Sequence, residues 1–216
     1  CKNVVMLPAH NGVRFFAPLL CFWKKIFHTK IHYIVIGGWL PEFLKDKRNL
    51  QKSLKQFDYI YVETNTMKKR LEKLGFKNIL ILPNCKELKI LKEDELVYSD
   101  SEPYKLCTFS RVMKEKGIED AINVVKKINE SNNRIVYTLD IYGQIDENYK
   151  INFEKMQANF PNYIKYKGCV EFNKSVDSLK NYFLLLFPTH FYTEGIPGTI
   201  IDAYASGLPV ISAEWE

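Results

Sequence analysis

Short apolar runs rich in β-formers alternate with helical patterns along the whole chain, and this alternation restricts the fold more than any other feature. VVML (4–7), HYIVIGG (32–38), DYIYVE (58–63) and ILILP (79–83) read as strands in the first part. KLCTF (105–109), YTLDIYG (137–143), YIKYKG (163–168), LLLFP (184–188) and PVIS (209–212) read as strands in the second. Between them lie a bulky stretch from Val13 to Phe27, a Lys-rich helix candidate over 42–56, and MKKRLEKLGF, capped by Thr64 or Asn65 and stopped by Gly75. Ile118, Ala121, Ile122, Val125 and Ile128 recur at helical spacing. TIIDAYAS (199–206) is a helix stopped by Gly207.

Strands without strict alternation, each followed by a helix, predict a parallel sheet covered on both faces. The charged, aperiodic segment 86–104 separates two such sets. Residues 1–88 are therefore expected to form part of a first Rossmann-like domain, 89–104 a connection, and 105–216 most of a second. Two sheets joined in this way predict a cleft, with functional residues after the carboxyl ends of the strands.

Composition excludes several alternatives. A net charge of +6, with basic and acidic residues interleaved, lacks the stripe of a nucleic-acid binder but suits an anionic small molecule or an anionic membrane surface. Five cysteines without a CxxC, and four His at 10, 28, 32 and 190 without ligand spacing, predict neither a disulfide framework nor a metal site, and favour a reducing, cytoplasmic compartment. Cys21, Cys107 and Cys169 have apolar neighbours and are expected to be buried. No apolar run is long enough to span a bilayer, and no secretory signal is recognisable. The sequence opens at Cys1 directly before a strand and ends at Glu216 just after one, so both ends are expected to be truncated.

Two segments carry chemistry. After KLCTF, Arg111 leaves the strand end and Lys116 precedes the amphipathic helix, where the helix N-terminus already favours anions. A guanidinium and an ammonium there suit a diphosphate. A solvated basic loop accounts for the same residues. After LLLFP, Gly195 and Gly198 flank Pro197 ahead of a helix and expose backbone N–H groups to a phosphate. Glu194 precedes that turn and Asp202 follows eight residues later on the helix, so two carboxylates could bracket a ligand. A helix-capping Glu and a surface Asp are the alternative. Val13 to Trp23, followed by Lys24 and Lys25, fits either a helix at a bilayer interface or a core helix interrupted by Pro18.

FSRVMKEKG followed by FPTHFYTEGIPGTIIDAYASGLPVIS resembles the C-terminal domain of the retaining glycosyltransferases called group 1 or family 4, of GT-B fold. The likeness covers roughly residues 58 to 216. It implies an α/β protein of two Rossmann-like domains and a sugar transfer with retention from a nucleotide-diphosphate donor to a glycan or lipid-linked acceptor. It further implies that Arg111 and Lys116 hold the diphosphate, that Glu194 contacts sugar hydroxyls beside Gly195, Ile196, Pro197, Gly198 and Thr199, and that Asp202 binds the ribose. Arg111, Lys116 and Glu194 would be the catalytic set, with no metal and no cofactor. Asp202 stands where the family usually has Glu, and Ser110 where it usually has Gly. Pro83 and Asn84 resemble the interdomain hinge. Ile36 precedes Gly37 and Gly38 where many members carry His, so no catalytic His is expected there.

The E-G-x-P-G-T-x-x-D-A wording resembles members from capsular and exopolysaccharide clusters, which implies a cytoplasmic enzyme of surface polysaccharide synthesis. The interfacial alternative for Val13 to Trp23 would place it peripherally at the inner face of the membrane through its first domain. The fragment alone is expected to be inactive. A non-catalytic nucleotide-sugar-binding homologue or partner subunit is the second reading, favoured by the Asp202 variant. A related epimerase or phosphorylase is the third, and no Lys signature for pyridoxal phosphate supports the latter.

Overall fold

The computed structural model describes residues 2–98 and 101–215. Cys1 and Glu216, the expected truncation points, and Ser99 and Asp100 in the expected connection lie outside the described residues. Contacts divide the chain into two compact units: one runs to Cys85 and includes Tyr192–Pro197, and the other comprises Lys86–Phe191 and Gly198–Trp215.

The first unit holds a four-stranded parallel sheet of β1 (Asn3–Met6), β2 (Lys30–Ile34), β3 (Tyr59–Val62) and β4 (Ile79–Ile81), in that spatial order. Its helices are α1 (His10–Phe27), α2 (Leu40–Leu44), α3 (Arg48–Leu54) and α4 (Asn65–Lys73). The Lys-rich stretch expected as one helix over 42–56 is thus two, broken at Lys45–Lys47. Thr64 is the cap of α4, accepting from the Met67 N–H at 3.2 Å. Burial alternates along β2 and β3, contrary to the two-sided cover expected for this sheet. Met6, Tyr33, Ile60 and Ile79 share a register and are all buried in one core with the helices. On the opposite face Val5, Tyr59 and Leu80 are exposed.

Helix α1 departs from the core-helix alternative. It continues through Pro18, which forfeits one backbone bond without ending the helix. Only Val13, Ala17 and Cys21 are buried. Lys24 anchors it, with Nζ 2.7 Å from Asp58 Oδ2, and the same carboxylate accepts the Ile31 N–H at 2.7 Å. Burial works to raise the Asp58 carboxyl pKa, but Lys24 and the Ile31 N–H outweigh it and hold it below the ordinary value.

The second unit has a five-stranded parallel sheet of β5 (Tyr104–Phe109), β6 (Tyr137–Tyr142), β7 (Ile164–Gly168), β8 (Leu184–Phe187) and β9 (Val210–Ser212), ordered β7-β6-β5-β8-β9. Here the expected two-sided cover is found. Leu106 of β5 packs into a core with α5 (Ile118–Ser131) and α6 (Lys150–Gln157), while its neighbour Cys107 packs into a second core with α7 (Ser175–Leu179) and α8 (Gly198–Ala205). Helix α6 carries no strong apolar period and is not legible in the sequence. At the end of α5 the buried residue is Asn129, with Ile128 only half-buried. The Asn129 amide accepts from the Val136 and Tyr137 N–H groups and donates to the Tyr137 carbonyl, tying the helix end to the start of β6.

Segment 86–98 has no regular element beyond a 3₁₀ turn at Glu93–Glu95, yet it packs on the second unit. Leu88, Leu91 and Leu96 join Val176 and Ala205 in a small core, and the Leu91 N–H donates to the Ala205 carbonyl at 2.9 Å. The cysteines in the described residues are all reduced. Cys21 and Cys107 are buried as expected, but Cys169 is exposed because it follows β7 at the surface.

Candidate functional site

The order β7-β6-β5-β8-β9 places a topological switch point between β5 and β8, where successive connections leave in opposite directions along the sheet. Ligands of open parallel sheets bind beyond the carboxyl ends of the strands at such a point. The two motif-bearing loops leave those two strands. Ser110–Gly117 follows β5, and the loop from Pro188 follows β8.

The loops are tied together within the second unit. The His190 N–H donates to the Glu115 carbonyl at 2.7 Å, and His190 Nε2 lies 2.7 Å from Asp120 Oδ2. Gly117 starts α5 with φ +69°, and a Cβ there would run into the Pro188 carbonyl oxygen. The position thus needs glycine for its conformation and for its space. Lys116, in the 3₁₀ turn Lys114–Lys116, is half-buried, with Nζ 5.5 Å from the Phe187 ring centroid and 5.0 Å from that of Phe191. The rings hold the ammonium by cation–π attraction and shield it from water. Arg111 is exposed and pairs loosely with Asp146, Nη1 to Oδ2 at 3.9 Å.

Helix α8 opens at Gly198 beside these loops. The Thr199 hydroxyl donates to the Phe109 carbonyl, which fixes the helix start against the end of β5. Asp202 is only 2% exposed, so the alternative of a surface Asp is overturned. Its Oδ2 lies 2.6 Å from Lys86 Nζ, and its Oδ1 accepts from Ser175 Oγ at 3.2 Å. Lys86 in turn lies over the Phe172 ring at 5.2 Å. Neither Lys86 nor Ser175 stands out in the sequence. Lys86 sits in an aperiodic charged run, and Ser175 in a segment without a motif.

Glu194, Gly195, Ile196 and Pro197 belong by contacts to the first unit. Glu194 is buried. The organiser of this segment is Glu63, at the end of β3, also buried. Its Oε1 accepts the Gly37 N–H and its Oε2 the Ile196 N–H, each at 2.7 Å. A Cβ at Gly195 would overlap the Glu63 carboxylate and crowd the Gly37 Cα, so a larger residue there displaces the carboxylate from its two donors. The Gly38 N–H donates to the Thr193 carbonyl at 2.8 Å, and Asn84 Nδ2 donates to the Ile196 carbonyl at 2.9 Å. Glu63 was missed in the sequence, where a carboxylate ending an otherwise apolar strand is the one signal that marks it.

The structure thus brings Arg111, Lys116, Gly198 and Thr199 to one switch point, sets Asp202 in a buried ion pair on the same helix, and holds Glu194–Pro197 on a glutamate clamp. Among the described residues, no group of three or more His, Cys, Asp or Glu is placed to hold a metal ion. No helix among them is long and apolar enough to cross a membrane.

A family profile for the Glycosyl transferases group 1 matches residues 89–215. The GtfA subunit of the UDP-N-acetylglucosamine–peptide N-acetylglucosaminyltransferase of Streptococcus gordonii is 27% identical over 156 residues, covering 71% of this chain and 29% of that protein. Among solved structures, the pneumococcal O-GlcNAc transferase GtfA in complex with UDP and GlcNAc matches at a TM-score of 0.67 and 19% identity, over 93% of this chain and 40% of the other. TarM matches at a TM-score of 0.70 and 16% identity, over 97% and 40%. At these identities the structural likeness speaks for the fold alone. The expected α/β fold with parallel sheets, of GT-B type, is borne out. The chain spans less than half the length of each of these relatives.

Proposed function

The chain belongs to the group 1 glycosyl transferases, and from that premise we propose that it is part of an enzyme moving a sugar from a nucleotide-diphosphate donor to a glycan or lipid-linked acceptor with retention. The observation that carries this reading is the pair of cations, Arg111 and Lys116, at the β5–β8 switch point beside the start of α8. When the glycosidic bond breaks, negative charge grows on the leaving diphosphate. Fixed cations and a helix N-terminus stabilise that charge without a metal. Arg111 offers a planar fork for two phosphate oxygens, while Lys116 acts as a point charge already stripped of part of its water by two rings.

In this reading Glu194 takes sugar hydroxyls, with the backbone of Gly195, Ile196, Pro197 and Gly198 and the Thr199 segment beside it. Asp202 takes the ribose. The proposed setting is surface polysaccharide synthesis of the capsular or exopolysaccharide kind, in the cytoplasm at the inner face of the membrane, with peripheral contact through the first unit.

A second reading, a nucleotide-sugar-binding subunit without catalysis, draws support from the burial of Asp202 and its existing pairing. Transfer kinetics on the intact protein separate the two. Arg111→Ala and Lys116→Ala should each lower the transfer rate by about 10²–10³-fold, the scale for losing one preorganised group facing developing charge. Donor binding without any transfer favours the second reading, and unchanged rates in both variants refute the site.

A further inference from the structure

Helix α1 presents three sectors. At about 100° per residue, Val13, Ala17 and Cys21 form the buried stripe, and Arg14 and Lys25 form a basic edge beside it. The remaining sector is apolar and faces outward. It carries Phe15, Phe16, Leu19, Phe22, Trp23 and Ile26, with Phe15 67% and Phe22 63% exposed. No Asp or Glu occurs anywhere in α1. Isolated exposed apolar side chains are ordinary, but a continuous face of large ones marks a binding surface.

The basic edge continues into a groove between α1 and the α2–α3 turn. Arg14, Lys45, Lys47 and Arg48 line it, against one lining carboxylate, Asp46. Lys45 is shared with the exposed Glu42 at 3.3 Å. Arg14 and Lys47 lie over the Phe43 ring at 5.1 and 4.2 Å, so the aromatic and cationic parts are joined at the groove wall.

We propose that the outward face of α1, with the cationic groove beside it, docks the first unit on the surface of an anionic phospholipid bilayer. The deduction rests on the membrane setting proposed above and assigns it to particular residues. Charge decides the occupant: a helix with an aromatic face, a basic margin and no acidic residue is complementary to anionic headgroups over acyl chains. It is not a span. The rings enter the boundary between headgroups and chains, and the groove cations stay in the headgroup layer.

The test is co-sedimentation of the intact protein with phosphatidylcholine vesicles, with and without phosphatidylglycerol. Wild type should bind the anionic vesicles and lose binding as salt rises. Phe22→Ser with Trp23→Ser should weaken that binding by at least about tenfold, and removal of Arg14 or Arg48 by about fivefold each. Both kinds of substitution should leave thermal unfolding and transfer to a soluble acceptor unchanged. Failure of wild type to bind overturns the membrane setting and this surface together. Wild-type binding undiminished in the Phe22/Trp23 variant overturns the surface while leaving the setting intact. A dimer in gel filtration that the same variant dissolves, with no vesicle binding, assigns the face to a second copy and overturns the proposal.

Discussion

Replacing Glu63 by Gln tests the clamp on the Glu194 segment while changing one atom. The carboxylate receives two backbone N–H groups, from Gly37 and Ile196, both at 2.7 Å, from a buried position. Hydrogen bonds to a charged group contribute about 1.5–3 kcal/mol each. An amide oxygen can still receive one of the two donors, but the amide NH₂ must then face the other. The variant therefore loses one charge-assisted bond and leaves a buried N–H opposed by a donor. Release of the segment to water returns part of that loss, which leaves a net cost of about 2–4 kcal/mol. Amide exchange reads it residue by residue: one of Gly37 and Ile196 should exchange about 30- to 700-fold faster, at about 1.4 kcal/mol per tenfold. Amides of β6 and α5, in the other unit, should be unaffected. Glu63→Asp should behave similarly, because the shorter side chain cannot reach both donors. Unaltered exchange at both Gly37 and Ile196 in Glu63→Gln would refute the clamp.

Lys86→Met should destabilise the second unit by about 3 kcal/mol, the lower end for breaking a buried pair, in urea unfolding. The double variant with Asp202→Asn should recover part of that loss, and strict additivity would mean that the two do not couple. Asp58, whose folded pKa is depressed, contributes stability above its unfolded value of about 3.9 and loses it as pH falls through the folded pKa. Asp58→Asn should thus cost about 1.5–3 kcal/mol at neutral pH, and an equal gap between the two proteins at pH 3 and 7 would contradict the pairing. Donor binding and transfer by the intact protein should survive chelation of divalent ions, as expected where Arg111 and Lys116 neutralise the diphosphate. Abolition by chelator would remove them from that role.

The second sheet was legible because its strands are buried on both faces, so Leu106 and Cys107 can be adjacent and both apolar. The first sheet does not follow that logic. HYIVI looks continuously apolar, yet Tyr33 lies in the core while His32 and Ile34 face the other way, half-buried. Tyr and Ile suit a half-covered strand as well as a buried one, so composition alone does not count the faces. Helix α1 was ambiguous for a related reason. Its apolar residues go nearly all round, and only the position of Lys24 on Asp58 reveals which narrow stripe is inward.

At the site, the residues with a local signature were legible and those acting at long range were not. Arg111 and Lys116 follow a strand and precede a helix, and Gly195, Pro197 and Gly198 punctuate a turn, so each announces itself within ten residues. Glu63 reaches Ile196 across 133 positions, and Lys86 reaches Asp202 across 116. No spacing rule connects such pairs. Long-range approach is nonetheless visible as constraint: a Cβ at Gly195 would displace the Glu63 carboxylate, and one at Gly117 would meet the Pro188 carbonyl. Gly117 and Gly195 therefore mark where a distant backbone carbonyl and a distant carboxylate come close, and a glycine beside a motif carboxylate directs the search toward a buried acceptor elsewhere in the chain.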